Sequence, residues 1–158
     1  MAGYFAFRTD DERRLMRRVG AVLAVAAVAF LAYGPSLGNA FTWDDHACIV
    51  GNPFLRNPQN ALRLFGLDRG DHSAMLNGAR PVWILFAMGD MGLWGDAPFG
   101  HHLISLLLHI VNALLVAAMA RSGGASGGAP LLAALGFAAH PLAVEGVCNI
   151  TFRADLLV

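Results

Sequence analysis

The chain of 158 residues carries 11 basic and 11 acidic residues, a formal net charge of +0, and 56% hydrophobic against 14% charged residues. Soluble domains hold about 25% charged residues, so the composition excludes an ordinary water-soluble globule and points to a membrane protein. The balanced charge leaves no basic footprint for nucleic acid.

All the basic residues are Arg, and Arg8, Arg13, Arg14, Arg17 and Arg18 crowd the front of the first apolar segment. By the positive-inside rule that end stays in the cytoplasm. Residues 1–18 therefore read as an Arg-rich cytoplasmic tail, helical from Asp10 onward. Residues 19–37 are almost uninterrupted Ala, Val, Leu and Phe. At about 1.5 Å per residue they reach across the roughly 30 Å of bilayer hydrocarbon, which makes them the first transmembrane helix, with Tyr33 suited to its outer interface. A cleaved signal peptide is the rival reading, since Arg13-Arg14 precedes the apolar core and Gly38-Asn39-Ala40 offers small residues for cleavage. The later apolar segments commit the chain to the membrane either way.

Residues 38–98 form a long outer loop. It opens on Phe41-Thr42-Trp43-Asp44-Asp45-His46, with two adjacent carboxylates just outside the first span. Side chains at i and i+1 diverge, so Asp44 and Asp45 are expected to do different jobs: one a base, the other a cation ligand or a helix cap. An Asx turn or N-cap accounts for the pair without any chemistry. Further on, Asn57-Pro58 resembles an N-cap followed by Pro in the first turn, and Ala61, Leu62, Leu64 and Phe65 supply the apolar face of an interfacial helix. Residues 81–94 are apolar but short and are interrupted by Gly89, Asp90 and Gly92. An Asp in hydrocarbon is costly, so this segment reads as a second interfacial or re-entrant helix.

Residues 99–120 are long enough to cross and form the second transmembrane helix. His102, Ser105, His109 and Asn112 recur at spacings that lay them along one side, a stripe that must face protein or water, either as interhelical glue or as part of a site. Residues 121–130 are a cytoplasmic Gly/Ser turn, and Pro130 opens a third span over 131–150. In it His140-Pro141 marks a kink or a site, and Glu145 and Asn149 stand at i and i+4, free to bond each other. Residues 151–158 start another outer loop and read as cut short. Cys48 and Cys148 have no metal-type spacing, and two unpaired thiols are expected in preference to a disulfide.

With the N-terminus inside, the first helix exits, the second returns and the third exits again. Glu145, about 21 Å along a straight third helix, Asp44 and His102 would then share the non-cytoplasmic side.

The third span ends in His140-Pro141-Leu142-Ala143-Val144-Glu145-Gly146-Val147, followed by Arg153-Ala154-Asp155-Leu156-Leu157. Here the chain resembles the tetratricopeptide-containing transmembrane O-mannosyltransferases and their bacterial relatives, which carry His-Pro, Val-Glu-x-Val and Arg-x-Asp-Leu-Leu in this order. The likeness extends to Phe41 through Asp45, Asn52-Pro53, Arg80-Pro81, and His102-Leu103 with His109 and Asn112. One departure is Ser105, where the family pattern has Asn. Another is length, since family members continue through further spans and often into soluble repeats.

The resemblance implies an all-α, polytopic membrane protein, the N-terminal part of a GT-C helical bundle, with about three transmembrane helices. It implies transfer of a sugar, mannose-like, from a polyprenyl or dolichyl phosphate to a protein or glycan acceptor on the extracytoplasmic face, in a bacterial inner membrane. Its partners would be the lipid-linked donor, the acceptor and membrane lipid, with no nucleic acid. Asp44 is the expected base and Asp45 the alternative. Arg80 and Arg153 are candidates to hold the donor phosphate, because a guanidinium matches its oxygens in bidentate fashion. His102 and His140 are candidate hydrogen-bond donors, Glu145 orients one of them, and Asp155 completes the set. No metal ligand set is assigned; a divalent cation at Asp44, Asp45 and His46 stays open. Three spans alone would lack part of a donor groove, so independent catalysis by this stretch is not expected. From a different class, a transporter or ion-binding module is the alternative, drawing on the intramembrane His and Glu.

Overall fold

A computed structural model of the chain describes residues 10–65 and 80–157. Residues 1–9 with Arg8, residues 66–79 with Arg69, the Phe65 side chain and Val158 lie outside the described residues.

Helix α1 runs Asp10–Tyr33, with Asp10, Asp11 and Glu12 in its first turn where the helix dipole favours negative charge. The helix is thus continuous through Arg13, Arg14, Arg17 and Arg18. Gly34 and Pro35 tighten its end into a 3-10 turn, Gly34–Gly38. Helix α3, Pro98–Ser122, starts on Pro at its first turn and runs back antiparallel. Both are long and apolar enough to cross a membrane. Where they meet α4 (Ala129–Ala138), the packed positions are largely small, Ala29, Ala113, Ala117, Ala134 and Ala138, which lets the backbones approach closely. Leu23, Leu31, Leu115, Met119 and Leu132 point outward and are exposed. So many bare aliphatics would be a liability in water and are the expected lipid-facing surface of an integral membrane protein.

The third apolar segment is not one straight helix. After Ala138 the chain passes through His140, held extended at φ −71, ψ 124 as a residue preceding Pro must be, then a 3-10 turn Pro141–Ala143 and a short helix α5, Val144–Cys148. The two halves meet at a bend of 47°. A break inside hydrocarbon frees carbonyls that no water can satisfy. Here the His109 Nε2–H donates to Ala138 O at 3.2 Å, and the Tyr33 hydroxyl donates to His140 O. The Ala138 carbonyl therefore draws its partner from α3, while His140 O accepts from the Ala143 N–H at 3.0 Å as well as from Tyr33 of α1. With the bent pair counted as one crossing there are three spans among the described residues.

Above the bundle the loop packs as a second apolar cluster. Ile49, Phe54 and Leu55 meet Trp83, Ile84, Ala87 and Met91 of α2 (Pro81–Trp94), with Ile150 and Ala154 from the C-terminal 3-10 turn Thr151–Leu156. Asparagine followed by proline starts two of the short loop helices. Asn52 accepts from the Phe54 N–H at 3.0 Å ahead of Pro53–Arg56, and Asn57 accepts from the Gln59 N–H at 3.0 Å ahead of Pro58–Phe65. At about 1.5 Å per residue the 14 residues of α2 fall well short of the hydrocarbon thickness. Its junction to α3 depends on Gly100, where a Cβ would collide with the base of the Trp94 ring.

Candidate functional site

The two aspartates of the loop motif diverge as their spacing requires. Asp45 is wholly buried. One carboxylate oxygen accepts from the Thr151 N–H at 2.9 Å and the Thr151 hydroxyl at 2.7 Å. The other accepts from the Thr42 N–H at 3.1 Å, with the Thr42 hydroxyl at 3.4 Å. Thr151 opens the C-terminal 3-10 turn, so Asp45 caps a helix start from 106 residues away. Its acceptor capacity is taken up inside the protein.

Asp44 is exposed. Just before it Trp43 stands 92% exposed, in the left-handed region at φ 39. This rare conformation for a bulky residue turns the chain so that Asp45 points in and Asp44 out. Cys48, one turn on, has its thiol pushed up by burial first and then by the charges of Asp44 and Asp45. Both cysteines are free thiols. The His46 ring lies edge-on to Phe41, and among the described residues no three His, Cys, Asp or Glu side chains converge on a metal position.

Arg153 is 1% exposed and sits at the centre of a polar knot. Nε donates to Ser105 Oγ at 2.9 Å, Nη2 donates to His101 O at 2.6 Å, and Nη1 is ion-paired with Asp90. His101 Nδ1 stands 3.5 Å from the same carboxylate, while its Nε2–H donates to Gly95 O at 2.9 Å. Burial pushes the Asp90 carboxyl up from its ordinary range, and Arg153 pulls against it. The costly Asp of α2 is thus matched by the guanidinium expected to hold phosphate, and that guanidinium has no donor turned outward. His102 is buried beside the Asp45 charge and the Ala40 backbone.

Three members of the polar stripe of α3 are likewise spoken for, whereas neither ring nitrogen of the fourth, His102, has a hydrogen-bond partner among the described residues. Ser105 takes Arg153, His109 takes Ala138 O, and Asn112 donates to Leu156 O at 2.8 Å. The Glu145 and Asn149 side chains do not pair; Asn149 Oδ1 accepts from the Thr151 N–H at 3.1 Å instead.

The remaining candidates come together. A cavity of about 420 Å³ opens at the bend, lined by His109, Phe137, His140, Glu145, Asp155 and Leu156 among others, within the size range of ligand pockets. His140 Nδ1 accepts from the Leu142 N–H at 3.3 Å, which leaves Nε2 to carry the ring proton as a donor. Arg80 reaches to 3.9 Å from Asp155, both half exposed. Asp44 does not line this cavity. It is linked to it through Asp45, whose partner Thr151 starts the turn that carries Asp155.

The sequence agrees with known proteins over nearly this whole arrangement. It is 36% identical over 143 residues, 85% of the chain, to protein O-mannosyl-transferase Tmtc2 of Drosophila melanogaster. It is 32% identical over 160 residues, 95% of the chain, to protein O-mannosyl-transferase TMTC1 of Homo sapiens. This chain is a homologue of the TMTC protein O-mannosyl-transferases. A more distant relative, protein O-mannosyl-transferase F38B6.6 of Caenorhabditis elegans, is 25% identical over 96% of the chain. The TMTC-like chain spans 15%, 18% and 23% of the length of these three relatives. No family model and no solved structure matches it.

Asp90, His101, Thr151 and Tyr33 carry the internal polar framework and escape a reading of motifs. In the sequence Asp90 reads only as a charge too costly for hydrocarbon, the mark of an interfacial or re-entrant helix, and Tyr33 only as an interface residue.

Proposed function

We propose that this TMTC-like chain supplies the acceptor-activating loop and part of the donor pocket of a membrane glycosyltransferase. The enzyme moves a mannose-like sugar from a polyprenyl or dolichyl phosphate to a protein hydroxyl. The N-terminus is cytoplasmic by the arginine bias, and the loop and cavity face the other side.

A hydroxyl is a poor nucleophile and needs a base within hydrogen-bond reach as the sugar carbon is attacked. Asp44 takes that role: it is the free member of the pair, held on a loop that Asp45 pins to the Thr151–Leu156 turn. The leaving phosphate needs donors, which Arg80 and the His140 Nε2–H provide, with Glu145 and Asp155 orienting them. Arg153 and Asp45 hold the loop and α2 in register from inside, with His102 packed beside Asp45. The observation that carries this reading is the split between the two aspartates, one sealed into four contacts and the other left exposed on the same loop.

The test compares Asp44→Asn with Asp45→Asn in membranes supplied with a labelled polyprenyl-phosphate sugar and a serine- or threonine-containing peptide. Loss of a general base lowers turnover by about 10²–10⁴-fold, so Asp44→Asn should all but abolish transfer while membrane insertion and protease resistance stay normal. Asp45→Asn should lower both. Undiminished transfer by Asp44→Asn removes the assignment.

A further inference from the structure

A second cavity, of about 260 Å³, lies at the other end of α1 from the Asp44 loop, between α1, α3 and α4. Its floor is apolar and buried, formed by Val25, Ala117 and Ala134, and its rim carries two exposed arginines, Arg18 and Arg121. Arg18 sits seven residues before Val25 on α1, and Arg121 sits four residues after Ala117 on α3. Each guanidinium therefore projects from the same helix face that builds the floor. Because α1 and α3 run in opposite directions, the start of one and the end of the other bring the two charges to one mouth. No carboxylate lines the cavity, and neither guanidinium has an ion-pair partner among the described residues.

We propose that this groove is a binding site for one anionic phospholipid, its phosphate held between Arg18 and Arg121 and the first part of an acyl chain lying along Val25, Leu114 and Leu131. Charge complementarity selects the headgroup: two unpaired arginines with no acid favour a lipid of net negative charge over a zwitterion. The apolar floor, set among lipid-facing helices, selects a lipid over a free phosphate ion. The site is independent of the sugar-transfer reading, since no residue is shared with the loop or the first cavity.

The chain is placed in nanodiscs of phosphatidylcholine doped with phosphatidylglycerol, released into mild detergent, and the lipid it retains is counted by native mass spectrometry. One phosphatidylglycerol should be kept in clear preference to phosphatidylcholine. Arg18→Gln and Arg121→Gln should each lower its retention by about fivefold, the effect of one arginine at an anionic lipid surface. Arg17→Gln removes the same charge one residue away from the groove and should leave retention unchanged. Val22→Trp, which fills the mouth while keeping both arginines, should lower it. Equal retention of the two lipids, or an Arg17→Gln effect matching Arg18→Gln, overturns the proposal. So does thermal stabilisation by inorganic phosphate in lipid-free detergent that vanishes in the Arg18 and Arg121 variants, which would mark a free-phosphate site.

Discussion

The Arg153–Asp90 pair is the place where a small change should have the largest structural effect. It joins α2, α3 and the C-terminal 3-10 turn at one buried point. Arg153→Met leaves the Asp90 carboxylate buried, with only the His101 ring at 3.5 Å for company. Breaking one side of a buried pair costs about 3–5 kcal/mol. Asp90→Leu strands the guanidinium in the same way. In the double variant Asp90→Leu/Arg153→Met both charges are gone. Ser105 still has the His101 carbonyl to donate to at 3.4 Å, and the residual cost is about 1–3 kcal/mol for what stays unsatisfied. The double variant should therefore be more stable than either single one. Stability can be followed by SDS-driven unfolding in mixed micelles through the fluorescence of Trp83, which is 2% exposed and donates to Ile150 O at 3.3 Å across the affected contact. If the double variant instead loses the sum of the two singles, within about 0.5 kcal/mol, the two groups do not act as a pair and the reasoning fails.

Two other outcomes follow from the geometry. The Cys48 thiol is raised by burial and then by the negative charges of Asp44 and Asp45. Less thiolate is present at a given pH, so its alkylation should be slow near neutrality and rise with pH. Asp44→Asn removes one charge that disfavours the thiolate and should move the rate profile to lower pH in a Cys148→Ala background; a profile that stays put or moves up contradicts this. Gly100→Ala sets a methyl against the base of the Trp94 ring. It should destabilise the α2–α3 junction by about 1–3 kcal/mol, the usual cost of overpacking, measured by the same unfolding assay, whereas Gly92→Ala, where a Cβ meets nothing, should not.

The composition and the apolar runs were enough to establish that this is a helical membrane protein, because a bilayer admits only helices of sufficient length or closed barrels. The ordered motifs pointed to its relatives for a related reason: His140-Pro141 and Arg153-Ala154-Asp155 are local strings whose order survives without knowledge of what they touch. The division of labour within those motifs was decided only by the tertiary structure. Asp44 and Asp45 are equivalent as letters. One becomes a cap because Thr151, more than a hundred residues away, arrives opposite it. Arg153 reads as a phosphate ligand until Asp90 is found within its reach, and the straight third span is bent by Pro141 at the point where His109 stands ready to take the freed Ala138 carbonyl and Tyr33 adds a second donor to that of His140. Hydrophobic length is a property of the chain taken segment by segment, whereas the pairing of a buried charge depends on which distant groups share its small, water-free volume.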